Sequence, residues 1–512
     1  MDNNNRGSWG SNIGFLLAAI GSAVGLGNIW GFPYKMGKSG GFTFLLVYAA
    51  LAIFVGFAIM CSELALGRKT GSGPIAAYKK FTKRFSGVGW LALIAPALIM
   101  TFYSVLGGYC IYYIAINAGG IFGAMPDSSS FGTLLTNPWM GIGVTVLFMI
   151  ICYFINRGGI SGGIEKFNKI GMPALFVMLV IIIIRALTLP NAVEGLKFMF
   201  VPGYAVEGGF IEEAPSLISV LATAGGQMFF SLSLAMGAMI TYGSYLDKKE
   251  NLPKNSLVIV VADSIVALMA GLAVIPAAVA NGINNGIPVA EIKLSGPNLL
   301  FSTLQDVFHN MGPLGGIFGF IFYILVLIAA ISSAISLIEV IVTMILDRNA
   351  DKGKTSNRSK ITVVVCALIT LVAALVAADG LGSTGIAPIN LLNKINPDIP
   401  MAVWNDCWLD FMDTWSEGLA MPIGAMIMAL IIGWEQGPDS LYDEIKIGYK
   451  GNMRLFYVIC IRFIVPVAMA FIAAGQIADF FGNVIAGYII AGVLLVVFFV
   501  LTFLSGRKLK KG

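Results

Sequence analysis

Charge is scarce in this chain, and histidine scarcer. Only 12% of the residues are Asp, Glu, Lys or Arg, against 57% hydrophobic, and His309 is the single histidine. One histidine argues against a zinc site built on several imidazoles and against a His-based triad; in an outer loop it reads as a solvated residue. The six cysteines (Cys61, Cys110, Cys152, Cys366, Cys407 and Cys460) are scattered through mostly apolar segments, with neither metal-ligand nor redox spacing. A GxxxxGK[ST] phosphate loop is missing, which argues against ATP-driven transport by this chain alone. No basic patch interleaved with aromatics is present, so no nucleic-acid partner is expected. The opening Met-Asp-Asn-Asn-Asn-Arg has no basic stretch leading into a short apolar core, so no cleaved signal peptide is expected.

Long apolar runs fill the chain instead. Mean hydropathy is +0.86, and 512 residues leave room for about a dozen bilayer spans of ~20 residues. The runs predict spans near 10–36, 41–67, 88–118, 139–156, 170–189, 215–245, 256–280, 315–346, 359–378, 408–434, 454–476 and 483–505. An even number puts both termini on one side. Most of the 32 basic residues then fall in the loops of that side, whereas the opposite loops keep only Lys35, Lys38, Lys197, Lys293 and Lys394; Arg185 and Arg462 lie within spans. This asymmetry predicts a multi-pass protein of the cell (inner) membrane, surrounded by lipid, with both termini cytoplasmic. The net charge of +5 then reflects topology.

The most informative stretch is Gly21-Ser22-Ala23-Val24-Gly25-Leu26-Gly27-Asn28, in the middle of the first span. Glycines weaken a helix interior, and an unwound backbone in lipid leaves N–H and C=O groups unpaired. Such a break is tolerated where it lines a cavity and a ligand satisfies those groups: cations on the carbonyls, an anion on the N–H groups. The sixth span is interrupted in the same way, at Gly225-Gly226-Gln227-Met228-Phe229-Phe230-Ser231-Leu232-Ser233-Leu234-Ala235-Met236-Gly237. Paired interruptions in corresponding positions of two halves point to a midplane site in a secondary transporter.

These residues, with Trp30…Phe32-Pro33-Tyr34, Glu63-Leu64-Ala65-Leu66-Gly67-Arg68 and Ser332-Ser333-Ala334-Ile335-Ser336, resemble the neurotransmitter:sodium symporter family. The likeness is to its bacterial amino-acid:sodium members and runs from about Arg6 to the end of span 10. It implies an all-α integral membrane protein of about twelve transmembrane helices. Spans 1–5 and 6–10 would be two inverted five-helix repeats with helices 1 and 6 broken, a leucine-transporter-like fold. Residues 1–249 would hold the first repeat and the broken span 6, residues 250–434 the rest of the second repeat, and residues 435–512 spans 11 and 12 with a basic tail, all in one integral domain. The implied activity is sodium-coupled import of an amino acid by alternating access.

Carried over residue by residue, the resemblance implies two Na+ sites. The first would use the Ala23 carbonyl, Asn28, Ser231 and Asp263 with the substrate carboxylate. The second would use the carbonyls of Gly21, Val24 and Ala329 with the hydroxyls of Ser332 and Ser333. Sodium, a hard cation, suits such oxygen ligands. Chloride-dependent relatives carry an asparagine and a serine where this chain has Asp263 and Ala267, so chloride is not expected as a cofactor. Amine-transporting relatives carry an aspartate where Gly25 stands, so the substrate should bring its own carboxylate. The exposed N–H groups of Leu26 and Gly27 and the Tyr103 hydroxyl would meet that carboxylate, and carbonyls of spans 1 and 6 would meet the amine. Ile99, Phe230, Ser233, Met236 and Leu337 would form an apolar pocket, with a pliant methionine, for a hydrophobic or aromatic L-amino acid.

One departure stands out. The family's outer-gate arginine is replaced by Gly31. Lys35, four residues on, would substitute for it against Asp413, or the gate would have lost its ion pair, or the freed space would admit a longer or cationic substrate. The inner gate would be Arg6, Trp9, Tyr245 and Asp347, and Gly163 with Pro173 would ease unwinding at the start of span 5. The acids Glu63, Asp263 and Glu339 stand apart from any histidine or nucleophile motif, which argues against a membrane enzyme. No acidic ring or filter sequence supports a channel.

Overall fold

The computed structural model describes residues 8–292, 294, 296–393, 406–481 and 484–509. These residues form helices joined by short connections. Ten helices are long and apolar enough to cross a membrane: α2 (Phe42–Thr70), α3 (Val88–Ile121), α4 (Pro138–Asn156), α5 (Ile160–Leu187), α7 (Leu252–Asn284), α8 (Gly315–Asp351), α9 (Arg358–Asp379), α10 (Trp408–Glu435), α11 (Arg454–Ala478) and α12 (Val484–Lys508). The first span, α1, is a bent pair, Asn12–Ala23 and Gly27–Lys38, whose halves meet at 45°. The sixth, α6, is likewise in two pieces, Leu217–Ser231 and Ala238–Gly243.

Several starts are set by side-chain caps that satisfy the orphan N–H groups of a first turn. Ser11 accepts from the Gly14 N–H, Asn137 from Met140, Asn251 from Lys254 and Asn357 from Lys360, with Pro138 and Pro253 in the first turns of α4 and α7. The cap at Asn251 starts α7 earlier than hydropathy suggests, because Leu252 to Ser256 add a polar first turn. α5 also starts early, on a π-turn over Ile160–Glu165, and runs as α-helix straight through Pro173. In this structure Gly163 lies in a widened but hydrogen-bonded turn and Pro173 inside the helix.

α10, α3 and α8 are the most enclosed spans and α12 the most exposed. α3 and α8 pack along each other, α1 sits against α5, α7 and α8, and the first piece of α6 sits against α2 and α11. Large apolar side chains such as Phe154, Ile184, Leu371 and Ile485 point outward on α4, α5, α9 and α12, as they must on surfaces that face lipid. The two broken helices thus lie side by side at the centre, with α3 and α8 closing the space between them.

Candidate functional site

The break in α1 leaves Val24 extended (φ −74°, ψ 96°), and a π-turn over Gly27–Gly31 restarts the helix. The break in α6 spans Leu232 to Gly237, with Ser233, Ala235 and Gly237 at φ 52°, 60° and 74°. The segments are tied together. Ser233 Oγ donates to the Ser22 carbonyl (2.7 Å), and Gln227 Nε2 donates to the Gly27 carbonyl (2.7 Å). Behind α6, the fully buried Glu63 accepts the Ala235 N–H on Oε1 (2.6 Å).

Between the breaks is a cavity of about 250 Å³ bounded by Ser22, Ala23, Gly25, Gly27, Ile99, Tyr103, Phe230, Ser233, Met236, Ser333 and Leu337. One end is polar backbone and hydroxyl; the other is Ile99, Phe230, Met236 and Leu337. Leu26 donates its N–H to the Tyr103 hydroxyl (2.9 Å), so that hydroxyl keeps its own hydrogen for an acceptor in the cavity. Gly25 is required by close approach: a Cβ there would lie 2.3 Å from Ser333 Oγ and 2.5 Å from the Tyr103 hydroxyl.

Beside the cavity, Asp263 is fully buried within α7, well past its first turn. Three side chains converge on it. Asn28 Nδ2 donates to Oδ1 (2.7 Å), Ser231 Oγ to Oδ2 (2.9 Å) and the Tyr48 hydroxyl to Oδ2 (3.2 Å). Asn28 Oδ1 accepts the Gly25 N–H (3.0 Å) and keeps a second lone pair. No cationic side chain pairs with Asp263 among the described residues, so this buried carboxylate calls for a positive charge from elsewhere. On the other flank, Ser332 Oγ donates to the Ala329 carbonyl (2.8 Å) and stands 3.4 Å from that of Val24. Ser333 Oγ donates to Ser22 (3.0 Å) and stands 3.4 Å from the Gly21 carbonyl. These oxygens form a second acceptor-rich cluster of the kind a hard cation takes.

The outer lid differs from the sequence reading. Lys35 pairs with Glu417, not with Asp413, and its ammonium lies 6.0 Å from the Phe230 ring centroid. Helical side chains lean toward their own N-terminus. On antiparallel α1 and α10, Lys35 leans inward and Glu417 outward, and they meet at the level of the pocket. Asp413 lies one turn further out, beside Glu417. The space left by Gly31 is not open: a Cβ there would lie 2.8 Å from Gln227 Oε1, which fills it.

At the opposite end Arg6 lies outside the described residues. Trp9 Nε1 donates to the Tyr242 carbonyl (3.2 Å), and Asp347 accepts the Gly73 N–H (2.8 Å). The Tyr245 hydroxyl bonds Glu339 (2.9 Å), which also pairs with Arg358. Glu63 and Glu339 thus have partners, none of them a histidine. Tyr48, Ser22 and Ser336 were not singled out, although Ser22 Oγ donates to Ser336 Oγ (2.7 Å). Both serines sit in the motifs quoted above; nothing in the sequence marks Tyr48.

This geometry agrees with the comparisons to known proteins. A profile of the sodium:neurotransmitter symporter family matches residues 6–118 and 128–407. The chain belongs to that family. It is 33% identical over 468 residues to the uncharacterized sodium-dependent transporter YhdH of Bacillus subtilis, covering 90% of this chain and 95% of that one. It is 24% identical over 500 residues to the sodium- and chloride-dependent taurine transporter of Rattus norvegicus, covering 88% and 75%. Among solved structures, MhsT in complex with L-phenylalanine superimposes with a TM-score of 0.76 at 32% identity, covering 93% of this chain and 100% of that one. The symporter is thus a multi-pass, sodium-dependent transporter with the leucine-transporter-like fold. Its relatives are transporters, not enzymes.

Proposed function

We propose that this symporter imports a hydrophobic or aromatic L-amino acid together with two sodium ions, across the cell (inner) membrane and toward the side of its termini. The observation that carries the reading is the two-ended cavity. The Tyr103 hydroxyl and the unwound α1 backbone suit an α-carboxylate, and Ile99, Phe230, Met236 and Leu337 suit an apolar side chain. A carboxylate placed there would stand next to the Asn28–Ser231–Asp263 cluster and complete one sodium site; the Ser332–Ser333 cluster would be the other. The phenylalanine named with MhsT supports an aromatic substrate.

Because the substrate carboxylate and the first sodium would share a site, each raises the affinity of the other by the same factor. Isothermal titration of phenylalanine and leucine in sodium and in potassium tests this, and equal affinity in both salts would refute it. Asp263 supplies a fixed negative charge where the taurine transporter's name declares a chloride requirement. Uptake into proteoliposomes should therefore persist in sodium gluconate and should fail, or become chloride-dependent, in Asp263→Asn. Wild-type uptake that stops in gluconate would overturn the chloride reading.

A further inference from the structure

Two arginines lie within spans, and they are not alike. Arg462 on α11 bonds a neighbouring span: Nε donates to the Gly433 carbonyl of α10 (2.9 Å) and the guanidinium covers the Trp434 ring at 5.1 Å. Arg185, in the last turn of α5, donates from Nη1 to Thr188 Oγ1 (3.0 Å) and lies 6.0 Å from the Phe318 centroid. No carboxylate pairs with it among the described residues. A guanidinium has five N–H donors, and most of these point to no protein acceptor. Interaction with its own helix end and a reach toward the membrane surface account for a cation at this position. They do not account for what lies beneath it.

Arg185 stands over a lateral cavity of about 290 Å³, at the ends of α5, α7 and α8 farthest from the termini of the chain. Its walls include Ile182, Ala277, Phe308, Phe318 and Phe322, and among the described residues Arg185 is the one charged residue lining it. The surface around it is apolar and exposed: Ile184 on α5 is 60% exposed and Leu314, just before α8, 56%. The cavity's lining is almost wholly apolar, so it offers little to hold water. It is continuous with a surface that only lipid covers, so a chain can enter from the bilayer.

We propose that this cavity binds one anionic phospholipid, its phosphate on Arg185 and an acyl chain among Ile182, Phe318 and Phe322. A guanidinium takes phosphate oxygens bidentately. A choline headgroup would bring a second cation to the same place, so a lipid of net negative charge is favoured. The floor of the cavity is the loop helix Leu304–Asn310, which packs on α8, the helix that carries Ser332 and Ser333.

Native mass spectrometry of the purified protein tests this, with phosphatidylglycerol or phosphatidylcholine of identical chains added to the detergent. Both headgroups carry the phosphodiester that Arg185 would hold, so the preference comes from the choline cation; at about 1 kcal/mol for a charge pair near a surface, the wild type should retain one phosphatidylglycerol about fivefold over phosphatidylcholine. Arg185→Gln should erase the preference, Arg185→Lys should keep part of it, and Ala277→Trp should lower retention of both lipids. Dihexanoyl phosphatidylglycerol, which has the head without the long tail, should be retained about tenfold less by the wild type, so the test holds even if Ala277→Trp does not fold. Inorganic phosphate should not compete. Equal retention of the two headgroups by the wild type, an undiminished preference in Arg185→Gln, or full displacement by phosphate would each overturn the proposal.

Discussion

The two broken helices reach the same end by different means. α1 is broken where glycine makes unwinding cheap: Gly21, Gly25 and Gly27 surround it, and no residue from Ser22 to Asn28 has a positive φ. α6 is broken where the local sequence resists. Ser233 and Ala235 take left-handed backbone conformations that disfavour any residue with a Cβ, at ~1–2 kcal/mol each. What holds them is tertiary: the Glu63 carboxylate on the Ala235 N–H and the Ser22 carbonyl under the Ser233 hydroxyl. The first break is written in its own segment. The second is imposed by α2 and α1, and it should fail when they do.

The comparison breaks most visibly at Gly25. Gly25→Ala puts a methyl against Ser333 and Tyr103, and overpacking of that order costs about 1–3 kcal/mol. Sodium-dependent substrate affinity, measured by isothermal titration, should fall roughly 100-fold at the upper end of that range, while the detergent-solubilised protein still folds. A Gly25→Ala protein that binds normally would show that the close approach is not needed.

The next effect falls on stability. Glu63→Ala leaves the buried Ala235 N–H without an acceptor, a loss of about 1–3 kcal/mol, and should lower the thermal unfolding midpoint. Glu63→Gln retains a carbonyl oxygen and should recover most of the loss. If both variants unfold like the wild type, α2 does not hold the second break.

Opposite signs then separate the two breaks. Ala235→Gly removes the left-handed penalty of ~1–2 kcal/mol and adds back ~0.5–1 kcal/mol of chain entropy, for a net gain of about 0.5 kcal/mol in thermal stability. A loss instead would show that Ala235 is not strained.

The smallest effect concerns the lid that joins the breaks, with Lys35 on α1 above Phe230 on α6. Lys35→Ala and Glu417→Gln should be coupled by about 1 kcal/mol or less in a double-mutant cycle on substrate affinity. Lys35 with Asp413→Asn should be coupled less. Stronger coupling to Asp413 would restore the partner that spacing suggested.

Hydropathy located the spans because lipid demands long apolar runs. It misjudged the starts of α5 and α7, where polar first turns and a π-turn lie outside any apolar window. The break in α1 and the walls of the cavity were legible because their residues stand together in recognisable strings. Tyr48 was not, since one tyrosine in an apolar helix carries no mark of what it faces. The Ala235 partner of Glu63 and the Arg358 partner of Glu339 were hidden for the same reason: these contacts join residues 172 and 19 positions apart. Glu417 was missed because spacing along a helix says nothing of how far a side chain leans.

The serines around the two candidate sodium clusters carry one further implication. Ser332 gives its hydrogen to Ala329, Ser333 to Ser22, and Ser231 to Asp263. Each hydroxyl therefore turns lone pairs, not hydrogens, toward the space where a cation would sit. A water molecule settles where it can both give and receive hydrogen bonds; a bare ion asks only to receive electron density. A sodium ion arriving there would meet oxygens already presented, with no hydroxyl to turn around.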